Sequence, residues 1–156
     1  MKKFLLAIVA VLAFGFAANA QHAIGVRGVL DGGAEFSYQQ DLGSNRLELD
    51  LGIHSGSHWS WFNLTGIYQW KGTISGPLGW YAGVGAQLGY YSWKNSWNQN
   101  DGDLDLGIGG QLGLEFVFPG APIQLTLDWR PMFLILDASN RTWSSNDVAL
   151  GLRYIF

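Results

Sequence analysis

The chain has 156 residues, no cysteine, nine basic and twelve acidic side chains and a formal charge of −3. Its length suits one domain, the lack of cysteine excludes a disulfide framework and thiolate metal sites, and the acidic balance without a basic patch excludes nucleic acid as a partner. Hydrophobic residues make up 48% of the chain and charged ones only 13%, yet after residue 20 no apolar run reaches the roughly 18 to 20 residues that a membrane-spanning helix needs.

The first element is an address. Lys2 and Lys3 precede the apolar run Phe4 to Ala17, and Ala18-Asn19-Ala20 follows with small residues where a signal peptidase reads. That is a secretory signal with an A-x-A cleavage site, so residues 1–20 are expected to be removed. The run is too short for a spanning helix, and no cysteine follows it to carry a lipid. Removing 20 of the 156 residues, with two of the nine basic side chains, moves the formal charge from −3 to −5. Residues 21–156 are expected to form one folding unit.

From there the sequence period is two. Alternate side chains of a strand point to opposite faces, and each segment separates apolar from polar residues in that way. The first predicted strand, about 23–30, sets Ile24 and Val26 against Arg27. The second, about 34–42, sets Phe36 and Tyr38 against Glu35, Ser37 and Gln39. The third is the clearest: Leu47, Leu49, Leu51 and Ile53 oppose Arg46, Glu48, Asp50 and His54. A helix would scatter those charges around its circumference. The fourth, about 61–72, sets Phe62, Leu64, Tyr68 and Trp70 against Asn63, Thr65 and Gln69. The fifth covers about 79–92. The sixth, about 103–118, sets Leu104, Leu106, Ile108, Leu112, Leu114 and Phe116 against Asp105, Gln111 and Glu115. The seventh, about 122–136, sets Leu125, Leu127 and Trp129 against Thr126, Asp128 and Arg130. The eighth, about 147–156, sets Val148, Leu150, Leu152, Tyr154 and Phe156 against Arg153.

The connections alternate. Gly43-Ser44-Asn45, Ser75 to Gly79 and Pro119 to Pro122 read as tight turns. Apart from a short link at Asp31-Gly32-Gly33, the other ends are longer and polar: His54 to Ser60, Ser92 to Asp103 and Asp137 to Asp147. Short turns on one side and longer loops on the other are the plan of an outer-membrane barrel, with the turns and both termini on the periplasmic side. Aromatic residues fall into two groups. Tyr68, Trp70, Trp80, Tyr81, Phe116, Phe118, Tyr154 and Phe156 lie near the turn end, and Trp59, Trp61, Tyr90, Tyr91, Trp93 and Trp143 near the loop end. Two such groups suit the aromatic girdles at the two membrane interfaces. The fold class expected is therefore all-β, an eight-stranded antiparallel up-and-down barrel that crosses a membrane, since only a closed barrel or a helix satisfies every backbone group in lipid.

A soluble barrel has the same period with its apolar face inside. The mixed signs on the polar face, the apolar face running on to Phe156 and the aromatics at strand ends favour apolar side chains pointing outward. The interior would then hold Arg27, Arg46, Arg130 and Arg153 with Glu35, Glu48, Asp50, Asp105, Glu115 and Asp128. Eight strands leave a lumen only wide enough for side chains to fill, so this network is expected to plug the barrel and to leave no open pore. Read as structure, it needs no catalytic role.

Gly83-Val84-Gly85-Ala86-Gln87-Leu88-Gly89 and Gly107-Ile108-Gly109-Gly110-Gln111-Leu112-Gly113 nearly repeat each other. A dinucleotide fingerprint needs glycine at the sixth position and a helix behind it; leucine stands there and no helical period follows. Inward-facing glycines that make room for bulky side chains explain the repeats better.

The pattern resembles the small outer-membrane barrels of the OmpA/OmpX type, and among them short barrels of Bacteroidetes. The likeness is carried by Ala23-Ile24-Gly25-Val26-Arg27-Gly28, by Arg46-Leu47-Glu48-Leu49-Asp50-Leu51-Gly52 and by the ending Gly151-Leu152-Arg153-Tyr154-Ile155-Phe156. It implies that the ending, through Tyr154 and Phe156, is read by the barrel-assembly machinery. It also implies that outer-membrane lipid surrounds the barrel.

Two functions from different classes remain. The first is a structural or surface-interaction barrel whose loops touch a ligand. Trp59, Trp61, Trp93 and Trp97 stand in Trp- and Asn-rich loops whose residues suit stacking on carbohydrate, although tryptophans at a membrane interface account for them as well. The second is a lipid A-modifying, deacylase-like enzyme. Barrels of the resembled type include such enzymes, and His58-Trp59-Ser60 offers a histidine and a serine two apart, though no third member stands out and a triad is recognised by geometry. The first reading is preferred. No cofactor is expected, and no metal either: His54 and His58 lie four apart in a loop rather than on a helix face.

Overall fold

Leu47 to His54 does in the structure what its alternation requires. It lies in a strand, with Glu48 and Asp50 fully buried on one side and Ile53 exposed on the other. The computed structural model of the chain describes residues 21–30, 33–55, 59–94, 100–136, 143–144 and 147–156. At 54–55, 59–61, 91–94, 100–103, 136 and 143–144 it describes the backbone alone. Ten strands are formed among the described residues: β1 (His22–Val29), β2 (Gly33–Leu42), β3 (Asn45–Ser55), β4 (Trp59–Ser75), β5 (Leu78–Lys94), β6 (Asn100–Val117), β7 (Ile123–Trp129), β8 (Met132–Leu136), β9 (Trp143–Ser144) and β10 (Val148–Ile155).

Every pairing is antiparallel. Each strand from β1 to β6 pairs with the next, β6 pairs with both β7 and β8, β7 pairs with β10, β8 pairs with β9, and β10 returns to β1. The ring is therefore closed, and its ten segments make eight staves, with β7 and β8 forming the seventh and β9 and β10 the eighth. This is the eight-stranded up-and-down barrel of the sequence reading. Closure removes the free edges that would otherwise present unpaired backbone groups.

Four of the staves differ from expectation in their bounds. The seventh strand is not continuous: it breaks at Arg130-Pro131, because proline has no N–H to give to the ladder. The break keeps its neighbours satisfied, as Arg130 N donates to Asp147 O at 2.9 Å and Pro131 O accepts from Gly110 N at 3.1 Å. The fourth, fifth and sixth strands also run further than read. Ser55 pairs with Ser60, and Lys94 with Asn100, inside segments expected to be loops. Polar composition marks where apolar side chains stop, whereas a ladder of backbone bonds continues as long as two strands can stay paired.

At the opposite end the turns are tight. Leu42 pairs with Asn45, and Gly43 between them takes a φ of +81°, a conformation glycine adopts without steric cost. Backbone bonds tie adjacent turns together: Lys71 N donates to Ser44 O at 3.3 Å and Val117 N to Pro77 O at 3.0 Å. His22 N and Phe156 N close the same end by donating to each other's oxygens at 3.0 and 2.8 Å.

The distribution of polarity is the inverse of a soluble protein's. Val26 and Leu112 are 55% and 57% exposed, while Arg27, Glu48, Asp50 and Arg130 are 0% exposed. Tyr68, Trp70, Trp80, Tyr90, Phe118, Tyr154 and Phe156 all lie on the outer face, and Phe116 is half-buried. Tyr81 is a correction. The sequence groups it with this outer band, but it is fully buried inside the barrel. Adjacent residues of a strand face opposite ways, so with Trp80 outside, Tyr81 has to point in.

Candidate functional site: the charged interior

Long polar side chains project inward from β1, β2, β3, β7 and β10, with small residues such as Gly52, Ala149 and Gly151 between them, and their lengths let them meet across the lumen. Toward the loop end, Arg27 from β1 donates through Nε and Nη2 to Asp128 Oδ1 at 3.0 and 2.6 Å, through Nη1 to Glu35 at 3.0 Å and through Nη2 to Asp147 at 2.9 Å. Arg130, just after β7, reaches Asp50 and Glu35 at 2.6 Å each and Asp147 at 3.1 Å. Glu35 thus sits between two guanidinium groups, and Asn63 Nδ2 donates to its other oxygen at 2.9 Å.

Toward the turn end, Arg153 of β10 donates to Ser37 Oγ and Thr126 Oγ1 at 2.9 Å and to Glu48 Oε2 at 3.1 Å. Glu48 also accepts from Gln39 and, at 3.0 Å, from Gln111. Gln111 accepts from Gln69 at 2.6 Å, and Gln69 in turn accepts from Arg46 Nε at 2.6 Å. Arg46 completes the layer with Glu115 at 2.5 Å. Tyr81 joins the two layers. Its hydroxyl donates to Asp128 Oδ2 at 3.0 Å, and Arg46 Cζ lies 4.9 Å from its ring centroid, within cation–π range.

Glycine makes the space. A Cβ on Gly113 would lie 2.4 Å from Tyr81 Cζ. One on Gly83 would lie 2.6 Å from Ile67 Cγ2, and one on Gly85 2.7 Å from Ile67 Cδ1. The two near-repeats are thus stretches of β5 and β6 that receive side chains from across and beside them. They are not loops before a helix.

The structure brings together Arg27, Glu35, Arg46, Glu48, Asp50, Glu115, Asp128, Arg130 and Arg153 as the sequence reading grouped them. Asp105 faces inward on β6 opposite Gly89, whose Cβ would come within 3.3 Å of the Asp105 Cβ. Two members were missed. Asp147 stands at the edge of the loop expected over 137–147, although it lies six residues before Arg153 and so on the same face. Tyr81 falls in the expected aromatic belt, although it shares its face with inward Gly83 and Gly85. Ile67 and Met132 are further inward residues, both buried; their apolar chemistry gave no sign of it, but their parity does.

The loop candidates fall elsewhere. His58 and Trp97 lie outside the described residues. Trp59, Ser60, Trp61 and Trp93 are described in backbone only, where Trp59 pairs with Trp93, Ser60 with Ser92 and Trp61 with Tyr91. His22 Nδ1 lies 2.9 Å from Tyr38 Oη, and its ring stacks on Tyr38 and Phe156.

What the interior can do follows from its pairing. Carboxylates held by two or three donors, and guanidiniums that fill several acceptors each, are fixed in place. They cross-link staves far apart in sequence across the lumen near mid-height. With these features in place, one solved structure bears comparison. The chain is similar to the N-terminal β-barrel domain of Pseudomonas aeruginosa OprF. The TM-score is 0.57 at 18% sequence identity, over 88% of this chain and 96% of that one. No protein-family model matches the sequence, and no curated protein matches it. The OprF likeness is one of fold: both chains close a small β-barrel of about the same length.

Proposed function

We propose that this chain is an integral outer-membrane β-barrel of a Gram-negative bacterium, with a structural or surface-interaction role and no catalytic one. The observation that carries the reading is the inverted polarity: apolar side chains cover the outside while arginines and carboxylates fill the inside. In water such an outer surface would be an aggregation liability; in lipid it is the required solvent contact. The OprF likeness supports an OmpA-like barrel, and the short segments 23–28, 46–52 and 151–156 give it its resemblance to Bacteroidetes barrels.

In this reading residues 1–20 direct export and are removed. The turn end, with both ends of the barrel, faces the periplasm, and the loop ends face outside. Tyr154 and Phe156 serve as the signal for the assembly machinery, outer-membrane lipid surrounds the outer face, and the salt-bridged interior keeps the lumen closed. Trp59, Trp61, Trp93 and Trp97 are where a surface ligand such as a carbohydrate would be met.

The test is fractionation of expressing cells, followed by electrophoresis of unheated and boiled samples. The protein should be in the outer-membrane fraction and change mobility on boiling, as a detergent-resistant barrel does. Recovery as a soluble periplasmic protein would overturn the reading. Mass spectra of lipid A from cells with and without the protein should be identical, and a missing acyl chain would overturn the non-catalytic part alone.

A further inference from the structure

The ladder of the barrel begins at His22, which exchanges both main-chain bonds with Phe156 at 3.0 and 2.8 Å and pairs with Gln40 on its other side. Gln21 lies one residue outside. Its C=O accepts from Asp41 N at 3.0 Å, whereas its N–H has no backbone partner among the described residues. Gln21 is exposed and stands, with Asp41, Arg46, Lys71 and Glu115, at the wall of a turn-end cavity of about 180 Å3.

The charges at that wall are already matched. Arg46 meets Glu115 and Lys71 meets Asp41, each at 2.5 Å, and Glu115 also accepts from Gln124 at 2.8 Å. A further cation set down there would find both carboxylates engaged. A basic group near cations and without a carboxylate of its own is favoured in its uncharged form.

We propose that Gln21, once residues 1–20 are removed, closes its new amine onto its own side chain and gives the barrel a neutral pyroglutamyl end. The inference rests on the reading of residues 1–20 as a cleaved export signal. In the step, the uncharged α-nitrogen attacks Cδ and the Cδ–Nε bond breaks. Nε leaves as ammonia, carrying the proton that the α-nitrogen gives up, so no oxidant, reductant or cofactor is needed. The ring is made of the α-nitrogen, Cα, Cβ, Cγ and Cδ, none of them tied into the ladder. The Gln21 C=O lies outside the ring, so its bond from Asp41 N survives closure. An N-terminal glutamine can close in any chain. Here the barrel holds that residue by its carbonyl alone, leaves the amine free and offers it no unpaired carboxylate that would keep it protonated.

The test follows the intact mass of the full processed chain, purified from the outer membrane and kept folded in detergent at neutral pH. The mass should settle one ammonia below that of a chain starting at Gln21, and the end should stop reacting with an amine label. Gln21→Ala should keep its full mass and stay reactive. Lys71→Met frees the Asp41 carboxylate to pair with the new ammonium, so closure should be about two- to fivefold slower, the worth of one exposed ion pair. A chain that starts at Gln21 and keeps its ammonia would overturn the proposal and leave the export reading standing. Closure at the native rate in Lys71→Met would overturn the part given to the matched charges. A mass that retains residues 1–20, or that starts elsewhere, would overturn the cleavage reading and the proposal together. If Lys71→Met does not fold, the mass of the native chain decides the matter by itself.

Discussion

His22 and Phe156 exchange both of their main-chain hydrogen bonds, at 3.0 and 2.8 Å, and stack their rings at a centroid distance of 5.7 Å. They are the last rung of the seam between β1 and β10, where the first and last strands of the barrel meet. Until that seam forms, both strands are free edges that can pair with other chains.

Deleting Phe156 therefore removes two backbone bonds and an aromatic contact at the closing step, besides any recognition of the ending by the assembly machinery. The barrel recovered in the outer membrane should fall sharply, with Phe156→Tyr close to native because it keeps the stack and the backbone. Counting the band that shifts on boiling checks this, and native-level assembly of the deletion would show that neither the seam rung nor the ending matters.

Tyr81 and Gly113 form a ring-and-notch pair. Gly113→Ala places a methyl 2.4 Å from the Tyr81 ring, so the ring must move and its bond to Asp128 is strained or lost. Overpacking of this kind costs about 1–3 kcal/mol, and Tyr81→Phe alone should cost about 1 kcal/mol for the lost hydrogen bond. Urea unfolding in lipid vesicles measures both. In Tyr81→Ala the notch is empty, so Gly113→Ala should then cost much less. An unchanged cost would mean that the notch does not serve the ring.

The pattern of two made the staves readable because it repeats at nearly every position, as in Leu47 to His54. The members of the interior network were readable for the same reason: once the outer face is known, parity alone puts Arg27, Glu35, Glu48 and Arg153 inside. What parity cannot give is reach. That Arg130 would meet Asp50, 80 residues away in sequence, depends on the barrel's curvature and on the turn of the chain at Pro131. At Tyr81 and Asp147 composition and alternation point opposite ways, since aromatics are common in belts and acids in loops, and the alternation is what the fold follows.

Leu49 tests which face meets lipid. It stands on β3 between inward Glu48 and Asp50, with its Cδ2 3.5 Å from where a Cβ on Gly66 would lie, on the outer face. Leu49→Arg should destabilise the barrel in vesicles by about 2–4 kcal/mol if it lies near the bilayer midplane, and less toward either interface. A neutral result in lipid would mean that this face does not meet hydrocarbon.

Arg130 tests whether the interior network holds the barrel together. Its guanidinium meets Glu35, Asp50 and Asp147, so Arg130→Met leaves buried carboxylates facing one another without their counter-charge. Removing one partner of a buried pair costs about 3–5 kcal/mol, whereas replacing both partners by uncharged groups costs far less. The double variant Arg130→Met with Asp50→Asn should therefore recover part of the stability lost in Arg130→Met alone, because one of the stranded charges is gone. Unfolding both variants in the same vesicles gives the coupling directly. If the two substitutions simply add, Arg130 and Asp50 do not act on each other, and the charges fill the lumen without binding its staves.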